Sequence, residues 1–245
     1  MKSNPLIYLT FILLLFAASC KEKTEVLDSD PIEKYFPLSV GKYITYRLDS
    51  TVFLPFGTSS VIKSYEVRLV NEAEITDNIG RKAYRIIRYI RKDSTQSWKA
   101  DATCMSLNDG KRAEFIENNL RFIKLALPIR KSWSWKGNAY IDTYSLFTQL
   151  DYLDGWDYQY ESIGQPATIS GITFPETLLV TQRDEVLGDT SDPRSYAEIN
   201  IGIEKYAAGI GMIYRKFYHS EYQPNDGGYY TDDSYGVEYT IIDHN

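Results

Sequence analysis

From residue 44 onward, apolar side chains recur at every second position, and that period builds half-buried strands rather than helices. Ile44, Tyr46 and Leu48 alternate with Thr45, Arg47 and Asp49, and Tyr65, Val67 and Leu69 alternate with Glu66 and Arg68. Turn residues fall between such runs, as turns require φ values that Gly, Asn and Asp accept most readily. Residues 55–60 (Pro-Phe-Gly-Thr-Ser-Ser) separate the first pair, and Asp77-Asn78-Ile79-Gly80 precedes a run over 83–90. Tyr84, Ile87 and Arg91 there also fit a helical face, but β-branched and aromatic content favours a strand bulged at Ile86-Ile87. Asn108-Asp109-Gly110 predicts a hairpin between 103–107 and 112–116, and Asn118-Asn119 turns the chain into 120–127. Trp133 and Trp135 are expected on one face of a short strand ending at Gly137. Further strands are expected from Gly155, over 171–181, over 205–218 and over 237–242, with a polar surface loop at 184–198 and a turn-rich stretch at 223–234. The spacing of Tyr144, Phe147 and Leu150 makes 140–152 the best helix candidate, with a loop as the alternative. Ten or more short strands with so little helix predict an antiparallel all-β domain over residues 35–245.

The N-terminus has a different character. Lys2 is followed by a nearly unbroken apolar run over 6–18, and then by Ala17-Ala18-Ser19-Cys20. A run of 13 residues is too short to span about 30 Å of hydrocarbon, which needs ~20. Small residues before a cut mark a secretory signal, and a cysteine at the cut resembles a bacterial lipoprotein signal. The resemblance implies a signal peptide over 1–19 and an acylated Cys20, the lipidation site. Residues 20–34 are polar, contain Pro31 and lack a periodic apolar pattern, so they are read as the acylated cysteine and a flexible tether. Lys21 in place of an acid directly after the cysteine favours the outer membrane, with the periplasmic and the cell-surface face both open.

Three stretches of the body carry a second likeness. Tyr35-Phe36-Pro37-Leu38-Ser39-Val40-Gly41 leads into the Ile44–Tyr46 strand, with Ile44 where a tryptophan is usual; residues 163–174 and the Tyr206-Ala207-Ala208-Gly209-Ile210-Gly211 element complete the set. Together they resemble uncharacterised outer-membrane lipoproteins of the Bacteroidota type. The resemblance implies a single antiparallel, strongly curved sheet (a half-barrel, or an open barrel or sandwich) with at most one or two short helices. It brings no activity and no functional residues. Gly209 and Gly211 have a physical reason of their own, since glycine permits positive φ or close backbone approach.

Composition narrows the function classes. The whole chain carries a net charge of −6; the leader takes Lys2 and no acid with it, leaving −7 on 226 residues. Such a body repels phosphate backbones, so nucleic acid is not an expected partner. With Cys20 acylated, Cys104 is the one remaining thiol, and its apolar surroundings read as a small buried hydrophobe. His219 and His244 are the only histidines, too few for a zinc site built on four Cys or His ligands. Without a Gly-x-Ser-x-Gly elbow, His219 is read as a partly exposed strand histidine. Asp151, Asp154 and Asp157, and Asp226, Asp232 and Asp233, are loop acids lacking the Asp-x-Asp-x-Asp-Gly spacing of a calcium loop. No metal and no cofactor is expected.

Tyrosine is abundant, with 21 in the chain and seven of them within 214–239. Most of these rings suit half-buried strands. Trp156, Tyr158 and Tyr160 on one strand face, with Tyr229 and Tyr230, are the candidate ligand-stacking aromatics. The expected function is therefore a non-catalytic, lipid-anchored outer-membrane β domain that binds a protein or glycan. The alternative is a lipid or lipoprotein carrier with an apolar cavity, and a hydrolase is the remaining class.

Overall fold

The computed structural model describes residues 29–145 and 149–245. The leader, Cys20 and Phe147 lie outside the described residues. A four-residue helix, α1 (Ile32–Tyr35), precedes thirteen strands among the described residues. These are β1 (Tyr43–Phe53), β2 (Ser60–Thr76), β3 (Lys82–Arg91), β4 (Lys99–Asn108), β5 (Arg112–Glu117), β6 (Leu120–Ala126), β7 (Ser134–Lys136), β8 (Asp157–Ile169), β9 (Ile172–Gly188), β10 (Ala197–Ala207), β11 (Gly211–Gln223), β12 (Tyr229–Tyr230) and β13 (Tyr235–His244).

One antiparallel sheet contains them all, in the order β6-β5-β4-β3-β2-β1-β13-β11-β10-β9-β8-β7, with β12 added beside β11. Sequence neighbours are sheet neighbours almost throughout, because short turns let each strand pair with the next. The β5–β6 turn shows the chemistry: Asn118 and Asn119 take φ of 51° and 67°, the double left-handed geometry that a two-residue hairpin needs. The first and last strands, β1 and β13, pair over their lengths.

The two ends of this path, β6 and β7, then meet. Ile123 N donates to Gly137 O at 2.8 Å, and the Trp135 indole donates to Ile123 O at 2.8 Å. Tyr160 OH donates to Ala126 O and accepts from Ala126 N, at 2.8 and 3.0 Å. The sheet is thus a nearly closed barrel. The predicted all-β, single curved antiparallel sheet is what the chain forms, and its closure leaves little open edge for strand addition.

Several expected boundaries move. Residues 184–188 and 197–198 belong to strands, because Leu187 and Glu198 are ladder partners; the loop shrinks to 189–196. The run over 205–218 is a hairpin, broken at 208–210, where Gly209 and Gly211 take φ of 74° and 114°. The bulges near Ile86-Ile87 lie on the partner strands, at Glu72 of β2 and Asp101 of β4. Trp135 turns inward, whereas Trp133 precedes β7 and is exposed. Residues 140–145 form turns and bends rather than a helix, and a single 3-10 turn covers Asp151–Leu153. The tether also ends sooner than Lys34: Ser29 Oγ accepts from Ile129 N at 2.7 Å, and Ile32 and Tyr35 are fully buried.

Candidate functional site

Segment 29–38 closes over one end of the barrel. Lys34 pairs with Asp30 and Glu176 at 2.9 and 2.5 Å, which together raise its pKa. Burial and the neighbouring Asp30 charge push the Tyr35 hydroxyl up to about 12. Lys34 O accepts from Gly209 N at 2.7 Å, and Lys42 Nζ donates to Gly209 O at 3.0 Å. The Tyr-Phe-Pro-Leu entry and the Tyr-Ala-x-Gly-Ile-Gly turn, 170 residues apart, are therefore one structure. They form a mouth in which Phe36, Pro37, Leu38 and Ile210 line a cavity of about 100 Å³.

Below the mouth the wall is set by strand alternation, which sends every second residue inward. Ile44 and Tyr46 of β1, Ile86 of β3, Phe115 of β5 and Tyr239 of β13 make it largely apolar. In the same inward phase stand four charges: Glu117, Lys124, Glu204 and Arg215, from β5, β6, β10 and β11. Arg215 Nη1 donates to Glu117 at 2.7 Å, and Lys124 Nζ to Glu204 at 2.6 Å. Tyr206 OH donates to the other Glu204 oxygen at 2.5 Å, and Arg215 Nε lies 3.7 Å from Glu204 with no hydrogen bond. The quartet thus ties β5–β6 to β10–β11 across the interior. Burial alone would raise both carboxylates, but the cations hold Glu117 and Glu204 below the usual range. Burial pulls Lys124 down, with Glu204 opposing and Arg215 assisting.

Arg88 also lines the cavity and pairs with Asp101 at 2.5 Å. Cys104 is buried in the same wall, as expected of a small hydrophobe, and burial followed by the Glu117 charge pushes its thiol up to about 11. That shift opposes nucleophilic use.

The other expected residues are placed as follows. Trp156, Tyr158 and Tyr160 do share a face, but it is the interior one, and protein covers all three rings. Their polar tips are satisfied internally: the Trp156 indole donates to Tyr152 O, Tyr158 OH to Asn138 and Tyr160 OH to Ala126. Tyr229 is exposed at the opposite end of the barrel, and Tyr230 packs against Phe53 at 4.6 Å between ring centres. His219, expected to be partly exposed, is buried instead, because β11 turns it inward under Tyr152, whose ring stacks on it at 4.0 Å. Its Nδ1 meets Asn200 Oδ1 at 2.7 Å, and Nε2 sits 3.7 Å from Asp233 without a hydrogen bond. Burial is the main cause of its lowered pKa. Asp154 is taken by Thr143 and Asp157 by Lys136, while the Asp226 side chain lies outside the described residues. Among the described residues no group of three His, Cys, Asp or Glu could hold a metal.

Sequence reasoning missed the quartet. Its signal was present, since Glu204 falls in phase with Gly202 and Tyr206, and Arg215 with Ile213 and Phe217.

No family model matches the chain, and no curated protein matches it. Among solved structures, a Bacteroides fragilis protein described as exported and as having a YmcC-like fold aligns with 85% of this chain and 99% of its own. The identity is 8% and the TM-score 0.34, a likeness too loose to carry anything further.

Proposed function

We propose that this chain is a lipid-anchored protein of the bacterial outer membrane, of the lipoprotein family its motifs resemble, that binds an amphiphile and catalyses nothing. The observation that carries the reading is a cavity with an apolar mouth and a largely apolar wall holding a few paired charges, at the barrel end where the N-terminal segment docks. Only residues 21–28 separate Cys20 from docked Ser29, a stretch that reaches about 30 Å when fully extended. An acyl anchor on Cys20 would keep the mouth within that distance of the bilayer. Two or more acyl chains hold stably where one is marginal.

The volume sets the kind of guest. About 100 Å³ is well below the ~300 Å³ and more that drug-sized ligands occupy, so one end of a molecule enters. Arg88, Lys124 and Arg215 reach the wall already paired with Asp101, Glu204 and Glu117, and the mouth offers Phe36, Leu38, Ile210 and Lys42. A fatty acid with its acyl end inward and its carboxylate left beside Lys42 suits that division. The raised Cys104 thiol and the cation-held carboxylates support binding over chemistry.

Titration with cis-parinaric acid tests the reading. Ile210→Trp, which fills the mouth, is expected to weaken the fluorescence-detected affinity about tenfold or more, a change of ~1.4 kcal/mol. Equal binding by both proteins would contradict the site. The anchor is tested separately: radiolabelled palmitate should enter the wild type and not Cys20→Ala, and equal labelling would remove the localisation.

A further inference from the structure

The barrel end opposite the mouth carries a second concavity, and we propose that it binds a neutral sugar ring of a glycan. β10 runs from Ala207 beside the mouth to Ala197 beside this groove, eleven residues, so the two sites stand about 30 Å apart. The groove has a volume of about 290 Å³. Its floor includes Ile199 and the buried Ser220, its walls are Tyr222 and Tyr230, and its rim holds Asp189, Thr190 and Asp192.

The walls are built, not incidental. Tyr222 and Tyr230 stand edge-to-face at 5.2 Å, and Tyr222 OH donates to Pro193 O at 3.0 Å, fixing the loop over 189–196 against β11. Tyr230 is fixed from behind by Phe53. Gly57 touches the Tyr230 backbone so closely that a Cβ there would lie 2.1 Å from Tyr230 O, and its φ is 63°. Asp189 Oδ1 is occupied by Ser191 N and Oγ, at 2.9 and 2.6 Å, which fixes the carboxylate at the rim.

A pyranose has apolar C–H faces and a polar equator, and this groove offers aromatic and aliphatic surface with hydroxyls and the carboxylates of Asp189 and Asp192 around it. The carboxylates accept hydrogen bonds from sugar hydroxyls and repel acidic sugars. The site goes beyond the cavity reading and does not depend on it.

The full chain is titrated by calorimetry with cellotetraose, tetra-N-acetylchitotetraose and tetragalacturonic acid. At least one neutral tetramer is expected to bind with a dissociation constant on the order of 1 mM, and the acidic one not. Tyr230→Ala removes a wall, and Thr190→Trp fills the groove from an exposed position; each should weaken binding about tenfold or more. Ile210→Trp, at the far mouth, should leave sugar binding unchanged. Failure of both neutral sugars to bind, retention of binding in both groove variants, loss of binding in Ile210→Trp or equal binding of the acidic tetramer would each overturn the proposal.

Discussion

At the scale of single residues, the costliest arrangement is the buried quartet. Its four charges are removed from water, and only their mutual pairing offsets the desolvation. Arg215→Met would leave Glu117 without its donor and Glu204 with Lys124 and Tyr206 alone. A loss of about 3–5 kcal/mol in urea denaturation is expected, as for other broken buried pairs; a change under ~1 kcal/mol would show that water reaches the site. The pH response divides by sign. His219 has a folded pKa below its ordinary 6.5, so its contribution is present above 6.5 and is lost as pH falls through the folded value. The acids facing it are Asp233 from the β12–β13 turn, Glu198 of β10 and Asp151 beside Tyr152; they oppose the shift without reversing it. Thermal melts should decline below pH 6.5 in the wild type and remain flat to about pH 5 in His219→Gln. Glu117 and Glu204, held below 4.5, add a second loss under that pH in both proteins.

At the scale of elements, the barrel has one strong closure and one weak one. β1 and β13 share nine paired positions, whereas β6 and β7 meet through the Ile123–Gly137 bond and the side chains of Trp135 and Tyr160. Local opening follows such differences. Amides of β7 are expected to exchange with deuterium before those of β1 and β13, and the reverse order would place the seam elsewhere. Docking of α1 is the other element-level commitment: Ile32→Ala should cost about 2–5 kcal/mol, the usual range for a buried Ile, measured by denaturation. What could be read from the sequence was the alternation and the turns, because period two and residues such as Asn118-Asn119 act locally. The hairpin at Ala208–Ile210 was hidden by two strands that read as one apolar run, with Gly209 as the clue. The direction in which Trp156, Tyr158 and Tyr160 point was not legible, since a shared face becomes interior or exterior only when the sheet closes. His219 was misplaced for the same reason. The quartet joins residues up to 98 positions apart, a pairing no local pattern encodes.

At the scale of the whole molecule, the barrel is polarised. One end gathers the chain entry, the two motif segments and an apolar-mouthed cavity; the other presents tyrosines, hydroxyls and two carboxylates. An anchor at Cys20 would turn the first end toward lipid and the second away from it. Acidity fits that orientation, because a chain of net charge −6 is not drawn flat onto anionic headgroups. The interior is packed by two clusters of buried side chains, one around Trp156, Tyr158 and Phe217 and one around Tyr46, Val67 and Ile241. The most direct test of the cavity's occupant is native mass spectrometry of Cys20→Ala, exported and purified without detergent. The binding account predicts an added mass of one anionic amphiphile per chain, absent when Ile210→Trp is combined with it. A bare polypeptide mass in both preparations would contradict it.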